Sequence, residues 1–499
     1  MTDICLIVEG AYPYVTGGVS SWIQSLVTHL PDISFAVVHI GAVPDPQRKV
    51  AYQMPGNVVE FHEVFINDVS RVRKRKSRTY AASAWDELYI LHTSMSTGKP
   101  YAPERLHSML RQPGFAGLTS SDLFYAYESW ELLVKLYELY ASELSFADFF
   151  WTFRFSYLPI FSLFEAALPQ AHVYHAISTG FGGLLGALGK MRTGRPFLIT
   201  EHGLYTRERE IEIIQSAWMG RLVASYRIDK RRMSFFQQWW FNLFLFLEKL
   251  SYDAADAVIS IAGINQKYQL KRGVDPQKMR LIPNGINIQQ LAHLRRPEEQ
   301  ASQADSFLVG FVGRVVPIKD VKTFIRALKI ASQTIPNLQA YLVGPTEEDA
   351  TYFQECQRLV EMLDLASVLH FTGSADVKEY YSRLDVLVLT SLSEGQPLVI
   401  LEGNCAGVPV VATDVGACRE LLTGISPEDQ ALGASGLITH VASPQETAEA
   451  IVQLWRNSDM RASMGRAGRE RTRRYYRQEQ LYHSYQQLYH RYISSKGHK

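Results

Sequence analysis

One short segment carries the densest chemistry of this sequence: Ser393-Glu394-Gly395-Gln396-Pro397-Leu398-Val399-Ile400-Leu401-Glu402. An apolar run over 385–389 predicts a strand that ends just before it, and Gly395 permits a tight turn there. Pro397 suits the first turn of a helix, where its missing N–H has no intrahelical partner. A helix that starts at the carboxyl end of a sheet faces the crevice where open α/β folds bind ligands. Unpaired N–H groups at that start, beside Gln396, Pro397 and Leu398, can hold a diphosphate. Glu394 precedes the helix and can reach sugar hydroxyls, whereas Glu402, about a turn and a half inside, can accept both hydroxyls of a ribose. The competing reading is two surface glutamates that merely suit the helix macrodipole.

Further candidates follow other predicted strands. Gly313-Arg314-Val315-Val316-Pro317-Ile318-Lys319 comes directly after the apolar run 307–312. Two cations at a strand's carboxyl end can neutralise a departing phosphate, Arg314 through a planar fork and Lys319 as a point charge. Ordinary loop cations are the alternative. Gly17-Gly18-Val19 opens the first helix, where two glycines let backbone approach a ligand, though the segment matches neither GxGxxG nor a P-loop. Thr200-Glu201-His202-Gly203 places His202 at a strand end, well sited to hydrogen-bond a substrate; a structural histidine fits as well. His175 is a fifth, weaker candidate. Asp-x-Asp occurs nowhere, so neither a metal nor any other cofactor is expected. Leaving-group charge would then fall to Arg314, Lys319 and helix-start amides.

These residues need a scaffold that presents strand ends. Two stretches alternate short apolar strands with amphipathic helices, the pattern of α/β domains with parallel sheets. The first takes in strands at 4–8, 35–40, 171–176, 196–200 and 257–261, and the second strands at 307–312, 339–343, 368–371, 386–389 and 409–413. The 499 residues divide into an N-terminal domain (1–298), a C-terminal domain (299–474) and a terminal helix (475–499). Polar Arg295-Arg296-Pro297-Glu298-Glu299-Gln300 marks the boundary. Residues 62–170 break the alternation and read as a helical insertion; its basic run Arg71-Val72-Arg73-Lys74-Arg75-Lys76 reads as a solvated face. The last forty residues look helical throughout.

A net charge of +1 gives no general field for nucleic acid or an anionic membrane, so an acidic ligand must be met by a few placed donors. Four cysteines without CxxC spacing suggest buried thiols. The N-terminus lacks a signal-peptide pattern, and the apolar segment 239–247 is half the length needed to span a bilayer. It reads as a buried helix, and the chain as cytoplasmic.

Taken together, Glu394-x7-Glu402, the Gly-Arg-x4-Lys element at 313–319 and Asn284-Gly285 resemble the family-4 retaining glycosyltransferases in order and spacing. The resemblance implies a GT-B fold: two Rossmann-like domains facing each other across a cleft, with the last helix crossing back to the first. It implies that Arg314 and Lys319 contact the donor diphosphate, Glu394 the transferred sugar and Glu402 the ribose. It also puts His202 beside the sugar and the Gly17-Gly18 turn before the phosphates. More closely, the segments 7–22 and 200–209 and the long insertion are similar to the PelF-like transferases of Pel exopolysaccharide synthesis. That likeness implies UDP-glucose as donor, a glycan acceptor and partners in an inner-membrane synthase complex. A sugar-nucleotide epimerase or hydrolase of the same architecture, and a non-catalytic sugar-nucleotide-binding scaffold, remain as alternatives.

Overall fold

The computed structural model describes residues 1–72, 82–111, 118–215, 233–291, 293–294 and 306–494. The chain forms two compact units. One comprises Met1–Ser260, Gln269–Arg280 and Tyr485–Lys499; the other comprises Ile261–Tyr268 and Leu281–Ser484. The polar stretch 295–300 and most of the basic run, from Arg73 on, lie outside the described residues.

In the first unit, strands β1 (Thr2–Glu9), β2 (Phe35–Gly41), β3 (Val58–Phe65), β4 (Ala171–Ala176), β5 (Phe197–Glu201), β6 (Ala257–Ser260) and β7 (Met279–Leu281) form one sheet in the order 3-2-1-4-5-6-7. Strands β1 to β6 pair in parallel. Ile4 to Val8 are buried, as expected of a central parallel strand covered on both faces. Strand β3 corrects the expected start of the insertion at residue 62. It is an edge strand in which Val64 alone is buried, and Glu60, His62 and Glu63 interrupt its apolar residues.

Between β3 and β4 the chain is helical: Ala82–Thr97, Pro103–Arg111, Ser120–Tyr125, Tyr127–Tyr140 and Phe146–Glu165. The last of these turns Phe149, Phe153, Tyr157 and Phe161 into the core, while Trp151 and Phe155, four apart, face outward at 52% and 46% exposure. The apolar segment 239–247 lies in the helix Phe235–Ala254, which a Ser234–Gln237 capping box starts and which buries Trp239, Phe241, Leu243 and Phe246. Among the described residues no helix is long and apolar enough to cross a membrane. All four cysteines are buried, free thiols.

The second unit holds six parallel strands, β8 (Phe307–Val312), β9 (Leu338–Val343), β10 (Leu369–Gly373), β11 (Val386–Leu389), β12 (Val410–Thr413) and β13 (Gly436–Thr439), in the order 10-9-8-11-12-13. The helix Val321–Ser332 buries Val321, Phe324, Ile325, Leu328 and Ala331 along one stripe. Asp320 caps it, its carboxylate accepting from Thr323 N at 3.3 Å. The chain's end is not one helix: Ser458–Tyr475 and Gln478–Ser494 are separated at Tyr476–Arg477, where Ile286 N donates to Tyr476 O and Gln478 N to Ile286 O. That backbone pairing takes up groups a continuous helix would need.

Candidate functional site

Both sheets wind outward in two directions from their first strand, so each has a switch point, at β1/β4 and at β8/β11. Loops at the carboxyl ends of such strand pairs diverge and leave room for a ligand.

In the second unit the loop after β8 carries Arg314 and Lys319, and the loop after β11 carries Glu394. Leu392 N donates to Ile318 O at 2.8 Å and Thr390 Oγ1 to Asp320 O at 2.9 Å, which stitches the two loops together. Lys319 Nζ then meets Glu394 Oε1 at 2.5 Å, and Ser391 Oγ donates to the same oxygen at 2.6 Å. These side chains are only 18% and 11% exposed, so the pair interacts with little screening. Arg314 is placed differently. It is 53% exposed, and its guanidinium bonds Glu348 at 2.6 and 2.8 Å. Arg314 and Lys319, expected as two cations able to neutralise a phosphate, each have a carboxylate partner.

Neighbouring loops set these positions closely. A Cβ on Gly344, at φ +151°, would lie 2.1 Å from Gly313 O, and one on Gly416, at φ +49°, would lie 2.0 Å from Glu394 O. Only glycine allows either approach. Ala417 N donates to Gly395 O at 2.9 Å. Gln396 is buried, and its Oε1 accepts from Asn284 N at 2.7 Å. Its oxygen therefore latches the Asn284-Gly285 turn. Pro397 is the N-cap of the helix Leu398–Ala406 and not its first residue; its φ of −70° with ψ 112° is extended, so Leu398 begins the helical turn. Glu402 lies on that helix, and its Oε2 accepts from Tyr381 Oη at 2.8 Å. Burial holds the Glu402 carboxyl above its usual range and the Tyr381 bond pulls it down. Lys319, Glu394 and the start of Glu402's helix thus come together, while Arg314 is half exposed and paired with Glu348.

In the first unit, Gly17 caps the helix Gly18–His29 with extended backbone at φ 171°. Neither Gly17 nor Gly18 adopts a left-handed conformation, contrary to the usual role of such glycines. A Cβ on either would meet nothing within 4 Å, so what they leave is open space at a helix start. His202 follows β5. The Trp22 ring packs edge-on against it with centroids 4.5 Å apart, and its buried Nε2 has no hydrogen-bond partner. Burial lowers the imidazole to about 4, so it is neutral.

His175 is not a site residue. Its Nδ1 bonds Tyr489 Oη and its Nε2 bonds Thr200 Oγ1, both at 2.8 Å, and Tyr485 Oη reaches the same Thr200 oxygen at 2.8 Å. Both ring nitrogens are used to tie the helix Gln478–Ser494 to β4 and β5.

The structure adds residues the sequence did not announce. Glu9 ends β1 at the switch point and accepts from Tyr205 Oη (2.6 Å), Ser178 Oγ (3.1 Å) and Gly182 N (3.2 Å). Its place at a strand's carboxyl end was the available signal. Glu348, Ser391 and Tyr381 had none, because their partners come from other loops.

Comparison with known proteins agrees with this architecture. Residues 2–277 match the family model described as Domain of unknown function (DUF3492), and residues 295–471 match Glycosyl transferases group 1. A D-inositol 3-phosphate glycosyltransferase of Actinosynnema mirum is 30% identical over 166 residues, 30% of this chain and 40% of that one. The chain thus spans less than half the length of that relative. Among solved structures, a sucrose-phosphate synthase from Thermosynechococcus elongatus superposes with TM-score 0.59 at 19% identity, covering 99% of this chain and 100% of that one. HepE of Anabaena, solved in complex with UDP and glucose, gives TM-score 0.55 at 15% identity over 98% of this chain and 99% of that one. At such identities the likeness establishes the fold: GT-B, built of two Rossmann-like units.

Proposed function

Since the chain belongs to the DUF3492 family and carries a glycosyl transferases group 1 domain, we propose that it is a retaining glycosyltransferase that moves a hexose, glucose from UDP-glucose, onto a growing Pel-type exopolysaccharide. The observation that carries this reading is the Lys319–Glu394 pair at the β8/β11 switch point, beside the start of Glu402's helix. Lys319 can hand its charge to a leaving phosphate while Glu394, freed from it, accepts hydroxyls of the sugar. Arg314, half exposed, supplies the second cation, and the backbone N–H groups that begin the helix Leu398–Ala406, just after Gln396 and Pro397, offer amides. Glu402 takes the ribose. By the resemblance, His202 is assigned to the sugar and the Gly17-Gly18 turn to phosphate.

In this mechanism the acceptor attacks the face that UDP leaves, and the departing phosphate oxygen takes the acceptor's proton. No protein base and no divalent metal are required, because fixed cations and amides stabilise the developing charge. The reading places the enzyme in the cytoplasm, with an inner-membrane synthase complex as partner, as the likeness to PelF-like proteins implies.

The test is calorimetric titration with UDP, ADP and GDP and their glucose and N-acetylhexosamine conjugates, with and without EDTA, followed by product assays with and without a glycan acceptor. UDP and UDP-glucose should bind equally well in EDTA, and donor should be consumed only when acceptor is present. Consumption without acceptor would favour an epimerase or hydrolase, and binding without consumption a scaffold.

A further inference from the structure

The helix Val377–Tyr381 ends just before β11, and Tyr381 at its end is 1% exposed. Its hydroxyl crosses to the helix after β11 and donates to Glu402 Oε2 at 2.8 Å. Glu402 Oε1 has no bonded partner among the described residues. We infer that Tyr381 is the positioning residue for the nucleotide's ribose: it occupies one oxygen of Glu402, fixes the carboxylate's rotamer and leaves the other oxygen to the ribose diol. The inference depends on the donor-site reading of Glu402 above.

The chemistry favours this division of labour. A ribose diol offers hydroxyl donors, which an ionised carboxylate accepts, and a carboxylate already held loses less side-chain freedom on binding. Burial works against ionisation and holds the Glu402 carboxyl up; the Tyr381 hydroxyl opposes it by bonding the charged form. Burial and Glu402 itself keep the Tyr381 phenol protonated, hence always a donor. Among the described residues no cation acts on the Glu402 carboxyl beside burial and Tyr381. One turn on, Cys405 has a thiol that burial pushes up to about 11. Arg469, from the helix Ser458–Tyr475, donates to Ala406 O at 2.7 Å. Glu420 of the helix Cys418–Thr423 is engaged with Gly263 N at 2.9 Å, and the helix Ile288–Leu291 carries no titratable group.

The experiment measures affinity for UDP and ADP, and for their 2′-deoxy counterparts, by calorimetry from about pH 4 to 8.5. In the wild type, the preference for ribose over 2′-deoxyribose, in which the diphosphate's own titration cancels, should show an acid limb where it falls as Glu402 protonates. Tyr381→Phe should move that limb upward by about one to two pH units, because the burial effect is then unopposed. Incorporating 3-fluorotyrosine at 381, which keeps the ring and strengthens the donor, should move it downward. Glu402→Gln should abolish both the limb and the preference for ribose over 2′-deoxyribose. If either Tyr381 change alters affinity equally at all pH, or leaves the limb unmoved, Tyr381 is a packing residue and the role of Glu402 survives. If Glu402→Gln keeps wild-type affinity and ribose preference, or neither nucleotide binds the wild type, the donor-site reading itself fails.

Discussion

Arg314 and Lys319 lie five positions apart on one loop, yet their environments separate their roles. Lys319 is enclosed with Glu394 and Ser391, so replacing it leaves a half-buried carboxylate without its cation. Arg314 and Glu348 are each about half exposed, and exposed pairs of this kind contribute roughly 0–1 kcal/mol. Arg314→Ala should therefore leave the thermal unfolding midpoint within about two degrees of wild type, given the size of the chain. Turnover should fall by about a hundredfold or more if the guanidinium meets the leaving group. Steady-state assay with the cognate donor, beside differential scanning fluorimetry, checks both; near-normal turnover would remove Arg314 from the chemistry. Residue types and spacing were enough to single out Glu394, Glu402, Lys319 and His202. They could not show that Lys319 and Glu394 grip each other, that Gln396 is spent on the Asn284 turn, or that Tyr381 reaches Glu402. Those bonds join residues from 21 to 112 positions apart, and no local pattern encodes them.

At the scale of elements, β5 and the helix Phe235–Ala254 place two carboxyls in the first unit's interior. Glu201 accepts from Tyr252 Oη and Gln269 Nε2, both at 2.6 Å, and burial raises it to about 7. Glu248, beside it and 3.6 Å from Arg272, is raised by burial to about 8. Unfolded, both would titrate near 4.5. The folded state thus holds more protons, and the stability this gives is complete below about pH 4.5 and lost as pH rises through 7 and 8. His175 and His202 have the opposite sign. Burial depresses them to about 3 and 4, so their contribution is present above about 6.5 and lost as pH falls. The unfolding midpoint should be highest between about pH 4.5 and 6.5 and fall on either side. Glu248→Gln should flatten the alkaline fall, read by thermal melts in a buffer series; an unchanged alkaline slope would assign it elsewhere. Strong apolar runs made β1, β8 and β11 legible in the sequence. The edge strands β3 and β13 were not, since the apolar residues of β3 are interrupted by Glu60, His62 and Glu63 and β13 has only Leu437 and Ile438 between Gly436 and Thr439.

At the scale of the molecule, the same strand order, 3-2-1-4-5-6, occurs in both sheets, and alternation along the sequence foretold two such units. It did not foretell how they interleave along the chain, with Tyr485–Lys499 in the first unit and Ile261–Tyr268 in the second. Tyr485→Phe with Tyr489→Phe should strip the Thr200 and His175 hydrogen bonds at a cost of about 1–3 kcal/mol for each polar group orphaned. Hydrogen-exchange mass spectrometry should then show β4 and β5 losing protection while β8 and β11 keep theirs; equal protection in both proteins would deny these tyrosines a structural part. His175 and Tyr489 are 314 positions apart. A nascent chain therefore exposes β1, β4 and β5 to the cell long before the ribosome delivers the side chains that seal them. A message cut short before Tyr485 would release a product whose earliest-made sheet, and not its latest, is the one left unfinished.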